Sequence, residues 1–189
     1  MRTLASFLMV SLDGYFEGPD PEDFGWQIVD DEFNQFAVQQ LDASECLLFG
    51  RVTFQGMASY WPTRDAIEND PEVASRMNKA PKIVISDSLD RPEPEWNNTR
   101  LINKDVHREL SSLKQQPGKD LLVLGSSVLT ASLIEMGLLD QLRIIVCPVV
   151  LGEGRSVLGT TQQRAKLKLL ENRTFRSGNV LLTYEPQRH

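Results

Sequence analysis

Residues 120–154 read DLLVLGSSVLTASLIEMGLLDQLRIIVCPVVLGEG, and the order of patterns inside this stretch decides the fold class. An apolar run over 120–124 meets Gly125-Ser126-Ser127, a turn that opens a helical pattern. That pattern stops at Gly137, the residue type that most easily takes the left-handed conformation closing a helix. A short link follows, then the apolar run RIIVCPVVL at 143–151, which enters a glycine turn at 152–154. Strand, turn, helix and strand in succession form the repeating unit of an α/β sheet with helices packed on its faces.

The alternation continues outward on both sides. Upstream, RTLASFLMV at 2–10 reads as a first strand and SLDGYFEGPDPEDFGW at 11–26 as a Gly/Pro/Asp-rich loop. Asp30 or Asp31 can cap a helix in which Phe33, Phe36, Ala37 and Leu41 recur at helical spacing. CLLFG is a buried strand ending at Gly50, a short helix runs from Arg51, and 61–81 is a polar, partly helical connection. KIVIS and TRLIN are two further strands, and VHRELSSLKQQ is a helix stopped by Pro117 and Gly118. Downstream, 165–186 predicts a hairpin turning at Ser177-Gly178-Asn179. No linker, repeat or low-complexity tract interrupts this order, so residues 1–189 are expected to form a single domain.

With 41% apolar residues the chain can bury a core without disulfides or a structural metal. A formal charge of -6 and a pI near 5.0 exclude the basic face of a nucleic-acid binder and leave a small molecule as the expected partner. No run approaches the roughly 20 apolar residues of a membrane span. The apolar N-terminal run meets Asp13 and Gly14 before it could serve as a signal peptide, so a cytoplasmic protein is expected. Cys46 and Cys147 lie in apolar runs and read as buried, reduced thiols. His107 and His189 are far apart, and with no HxxxH or CxxC spacing no metal site is expected.

Two strand-to-helix turns carry the chemistry, LLFGRVTFQG and LLVLGSSVLTASL. Each sets a glycine and exposed backbone N–H groups at a helix start, which suits phosphate oxygens. In the first, Arg51 adds a charge able to grip a phosphate in bidentate fashion and Thr53 adds a hydroxyl. In the second, Gly125 permits close backbone approach, with Ser126 and Ser127 as donors. Two such turns could hold the two ends of a dinucleotide. The plainer alternative is that the glycines only end strands and the hydroxyls only cap helices. GxGxxG, GxxxxGK[ST] and GxSxG patterns do not occur, which removes Rossmann, P-loop and serine-hydrolase readings.

Gly50-Arg51-Val52-Thr53-Phe54 is similar to the G-R-x-T-aromatic turn of dihydrofolate reductase-like proteins, whose Arg meets the adenosine 2′-phosphate of NADPH. Ile85-Ser86-Asp87-Ser88-Leu89 resembles that family's next strand end, and Gly125-Ser126-Ser127 occupies the place of its pyrophosphate turn. Ser11-Leu12-Asp13-Gly14 and GLLDQLRIIVCPVVLGEG are closer to the riboflavin-biosynthesis reductase branch. The resemblance implies a three-layer α/β/α fold with a central mixed, mostly parallel sheet and a C-terminal β-hairpin. It also implies an NADPH-dependent reductase acting on a C=N or C=O bond of a small planar heterocycle, and a homodimer. The HxE and PCxxC elements of the zinc deaminase half are absent from this sequence.

Under that resemblance Val10, Gly14 and the Gly152 turn line the nicotinamide end, and Gly50, Arg51, Thr53, Ser86, Gly125, Ser126 and Ser127 hold the rest of the cofactor. The family protonates its substrate through a carboxylate on the first helix, which here implies Asp30 or Asp31, although counting from Gly50 lands on Asn34. Asp13 is a further acid. Tyr15, Trp26, Tyr60 and Trp61 could form an aromatic wall for a planar substrate, and Arg64 or Arg155 a contact for its phosphate. A non-catalytic, nucleotide-binding homodimer that keeps the fold is the alternative.

Overall fold

The computed structural model describes residues 1–21 and 23–187; Glu22, Arg188 and His189 lie outside that description. The elements in chain order are β1 (Leu4–Ser11), β2 (Tyr15–Glu17), α1 (Asp31–Ala43), β3 (Ser44–Gly50), α2 (Arg51–Tyr60), α3 (Arg64–Asn69), α4 (Pro71–Lys79), β4 (Lys82–Ile85), β5 (Thr99–Ile102), α5 (Val106–Gln115), β6 (Asp120–Leu124), α6 (Ser127–Glu135), β7 (Gln141–Cys147), β8 (Arg155–Ser156), β9 (Lys166–Thr174) and β10 (Val180–Gln187). β1 is buried along its whole length, as a continuous apolar run demands of a central parallel strand. β2 is a departure from expectation, a short strand inside the stretch read as loop, where it pairs with β8.

Eight strands form one sheet in the order β5-β4-β3-β6-β1-β7-β10-β9. The first six are parallel, and β10 and β9 add an antiparallel hairpin. Phe175 donates its N–H to Asn179 O and Gly178 donates to Phe175 O, which closes the hairpin turn with Gly178 at φ +89°. The α/β, mostly parallel architecture matches the expectation.

Right-handed crossovers dictate where the helices go. From β1 to β3 and from β3 to β4 the chain steps one way along the sheet, so α1, α2 and α4 share a face. There Phe33, Phe36, Phe54 and Met77 pack with Phe7 and Phe49. From β5 to β6 and from β6 to β7 it steps back, and α5 and α6 bury Leu110, Leu129 and Leu133 with Leu4, Leu8 and Leu48 on the opposite face. The reversal falls between β3 and β6, which are neighbours, so their connections leave to opposite sides and open a crevice at their carboxyl ends. A buried hydrogen bond of 2.6 Å between the Ser6 and Thr130 hydroxyls fixes α6 against β1.

Cys46 and Cys147 are buried and unpaired, and burial pushes both thiols up, Cys46 to about 11. Among the described residues no helix is long and apolar enough to cross a membrane.

Candidate functional site

The crevice between β3 and β6 is where the two glycine turns meet. Gly50 is the N-cap of α2, and a Cβ there would overlap Ser126 Oγ. A Cβ on Gly125 would sit 3.0 Å from Thr53 Cγ2, so each turn is moulded to the other. Gly125 and Ser126 are both left-handed, at φ +60° and +59°, and the second is a strained position for a residue with a side chain. Among the described residues neither helix start has a side-chain cap: the N-cap residues of α2 and α6 make no side-chain bond to the first N–H groups. The plainer reading, in which the hydroxyls merely cap helices, therefore fails for Ser126. Arg51 is exposed, donates to Gln55 Oε1 at 3.3 Å, and has no ion pair with a described carboxylate. Ser86 follows Ile85, whose register partner is Gly50, and its hydroxyl stands 3.1 Å from that of Ser88.

Adjacent strand ends carry the remaining residues. Val10, on β1 beside β6, is buried. Beyond β7, Gly152 is held by Asp13, whose carboxylate accepts the Leu151 and Gly152 N–H groups at 3.1 and 2.8 Å. The Ser11 hydroxyl first, with those amides, pulls the Asp13 carboxyl from 3.8 down to about 2. Asp13 is thus an acceptor that ties two loops together. The β2–β8 ribbon completes this clasp. Glu17 pairs with Arg155 at 3.3 Å, a Cβ on Gly154 would overlap Glu17 O, and the Tyr15 hydroxyl reaches toward Gly152 O at 3.5 Å. Phe16 Cζ lies 3.8 Å from the Cβ position of Gly125, so the ribbon reaches the second phosphate-type turn. The loop reading of 11–26 missed Phe16; its only sequence signal is the β-favouring Tyr15-Phe16 pair.

The first-helix carboxylates have structural work. Asp30 is the N-cap of α1 and accepts the Phe33 N–H at 2.8 Å. Asp31 is exposed in the first turn. Glu32, between Arg173 at 3.0 Å and the Arg176 N–H at 2.9 Å, is held below its ordinary range by the Arg176 amide and then by Arg173. Asn34 donates to Asp70 at the start of α4.

The aromatic wall does not assemble as expected. Trp26 packs at the edge of the core on the α1 side, with its indole N–H buried and without a partner among the described residues. Trp61 stands at the other end of α2 from Arg51, about 15 Å along a helix of that length. Its carbonyl accepts from Asn78 and its indole lies on Met57 Sδ. Asn78 in turn bonds Trp96 and Lys82 at the amino end of β4. Tyr60 contacts Trp61, not Tyr15 or Trp26. Trp61 and Tyr60 therefore stand at the far end of α2 from Gly50, apart from Tyr15 and Trp26. Sequence reasoning also missed Asn179, which is fully buried and holds Ile28 O at 2.9 Å, anchoring the segment that bears Trp26.

An open groove of about 1330 Å³ lies at the opposite, amino end of the strands, lined by Arg2, Cys46, Lys82, Trp96 and Arg100. It shares no residue with the crevice.

Comparison with known proteins agrees with this fold. Residues 2–181 match the family described as the RibD C-terminal domain. The uncharacterized protein YyaP of Bacillus subtilis (strain 168) is 34% identical over 186 residues, covering 97% of this chain and 94% of that protein. A solved structure from Shewanella sp. PV-4, provisionally assigned as a riboflavin biosynthesis protein, superposes with a TM-score of 0.74 at 19% identity, covering 98% and 99% of the two chains. Dihydrofolate reductase from Enterococcus faecalis, solved with NADP(H), superposes with a TM-score of 0.60 at 15% identity over 98% and 97%. The fold is thus shared with a known reductase. On the match over residues 2–181 and the identity with the Bacillus protein along nearly all of both chains, this protein belongs to the RibD C-terminal domain family.

Proposed function

We propose that the protein is an NADPH-dependent reductase of a C=N or C=O bond in a small, planar organic substrate. The observation that carries this reading is the pair of uncapped helix starts, α2 and α6, meeting at one crevice beside an unpaired Arg51. A structure that leaves N–H donors and an arginine unspent at one point fits an anionic ligand. Gly50 and Val10 lie on β3 and β1, and Ser86, Gly125 and Gly152 follow β4, β6 and β7; these five neighbouring strands span about 19 Å at the usual interstrand spacing. Arg51 and Thr53 would hold the 2′-phosphate, the α6 turn with Ser126 and Ser127 the pyrophosphate, and Val10 with Gly152 the nicotinamide. Bound there, NADPH supplies the hydride that reduces the substrate carbon, while the heteroatom takes a proton. The chain contributes position: Asp13 and the β2–β8 ribbon set Gly152, and Tyr15 and Trp26 border the substrate. Asp30 would deliver the proton only by giving up its cap on α1, and Asp31 would deliver it from an exposed position in the first turn.

We further take residues 1–189 as one reductase domain, working in the reducing cytoplasm that its two free thiols suit. We also take the protein as a homodimer. Ile144, Val146, Val180, Leu182 and Leu169 share one face of the β7–β10–β9 end, half-buried or exposed, and an apolar patch of that kind marks an interface. Sedimentation equilibrium should return twice the chain mass.

The deciding experiment is titration with NADPH and NADH, followed by nicotinamide fluorescence. NADPH should bind more tightly, and Arg51→Ala should weaken NADPH by about 1.5–3 kcal/mol while leaving NADH nearly unchanged. Equal weakening of both cofactors would remove Arg51 from the 2′-phosphate. Binding of neither by the wild type would favour the non-catalytic alternative.

A further inference from the structure

The arginines at the substrate end differ from Arg51 in one respect: carboxylates already occupy them. Arg155 lies 3.3 Å from Glu17, whose side chain is only 18% exposed. Arg173 lies 3.0 Å from Glu32, which also accepts the Arg176 N–H and stands 3.9 Å from its guanidinium. Against these three cations the same end carries Asp13, Glu17, Asp30, Asp31, Glu32 and Glu153. A phosphate ester brought there would meet an excess of negative charge. To recruit Arg155 it would have to strip Glu17 of its partner and leave a half-buried carboxylate unpaired.

We propose that this site takes a neutral or cationic carbonyl or imine compound without a phosphate ester, and that Glu17 sets the preference by neutralising Arg155. The proposal rests on reading the α2 and α6 turns as the cofactor site. Anion recognition is then divided along the sheet edge, spent on the cofactor at the crevice and blocked at the ribbon. Glu17 is held for this task by strand pairing, since β2 and β8 place Glu17 opposite Arg155 in register.

The test is calorimetric titration of D-ribose 5-phosphate, with D-ribose as control, into protein saturated with NADP⁺. Wild type should gain nothing from the phosphate. Glu17→Gln should bind the phosphate ester at least about tenfold more tightly than wild type, the scale on which removal of a like charge acts. Adding Arg155→Ala to that variant should abolish the gain. The gain is read as the ratio of D-ribose 5-phosphate to D-ribose affinity within each protein, each saturated with NADP⁺ and shown to be folded by its urea denaturation, which keeps folding and the cofactor reading out of the comparison. A wild-type preference for the phosphate, or no gain in Glu17→Gln, overturns the proposal while the cofactor reading stands. Failure of wild type to bind NADP⁺ strikes the cofactor reading itself.

Discussion

The two ends of the parallel sheet treat their polar groups in opposite ways. At the amino end every buried cation is closed. Lys82, 1% exposed, donates to Asn78 O, Ala80 O and Asn97 O and sits 4.4 Å from the Trp96 ring centre. Lys114 donates to Leu138 O and pairs with Asp140, which also accepts the Leu4 N–H. Arg2 is shared by Pro117 O and Glu45. At the carboxyl end α2 and α6 begin without caps and Arg51 has no carboxylate. The groove of about 1330 Å³ lies at the amino end, among these closed groups. Unspent donors mark a ligand site, because a buried or half-buried polar group left unpaired costs more than a made bond returns.

Four substitutions would break or sharpen this contrast. The largest effect is expected from Lys82→Met, which strands three carbonyls and should cost about 3 kcal/mol of stability in urea denaturation, with the NADPH Kd unchanged. A tenfold loss of cofactor affinity in a folded Lys82→Met protein would erase the division of labour between the two ends.

Gly50→Ala comes next. Its methyl would collide with Ser126 Oγ, costing about 1–3 kcal/mol by overpacking and weakening NADPH in the same measurement. Ser126→Gly in the same chain should restore most of both, since it removes the atom in the way and relieves the positive φ at 126. If the double variant is no better than Gly50→Ala, the two turns are not coupled through that contact.

The smallest effect is expected from Asp30→Ala. Loss of the cap should cost about 1 kcal/mol. Turnover should stay within a few-fold if Asp30 only caps α1, whereas a fall of about a hundredfold or more in kcat would identify it as the proton donor.

Much of this was legible in the sequence because it is local. Glycine before a helical period at 50 and 125, Asp30 ahead of Phe33 and Phe36, and Ser177-Gly178-Asn179 between two strands are short-range signals, and the structure bears out each of these elements. The aromatic residues show where such local signals stop. Trp61 is one residue past α2, and which end of the sheet that helix reaches depends on its direction against β3, which composition does not record. The Asp13 clasp on Gly152 and the Glu17–Arg155 pair join residues 138 or more positions apart, so no spacing along the chain could announce them.

By itself the sequence determined the succession of strands and helices, the apolar faces they bury, and the residue types at two phosphate-suited turns, because periodicity and turn chemistry act over a few residues. Tertiary structure alone decided that β6 inserts between β3 and β1, since strand order is set by crossover handedness and by which faces must be buried together. That insertion brings Gly50 against Ser126 and sets two ordinary helix starts side by side at one crevice.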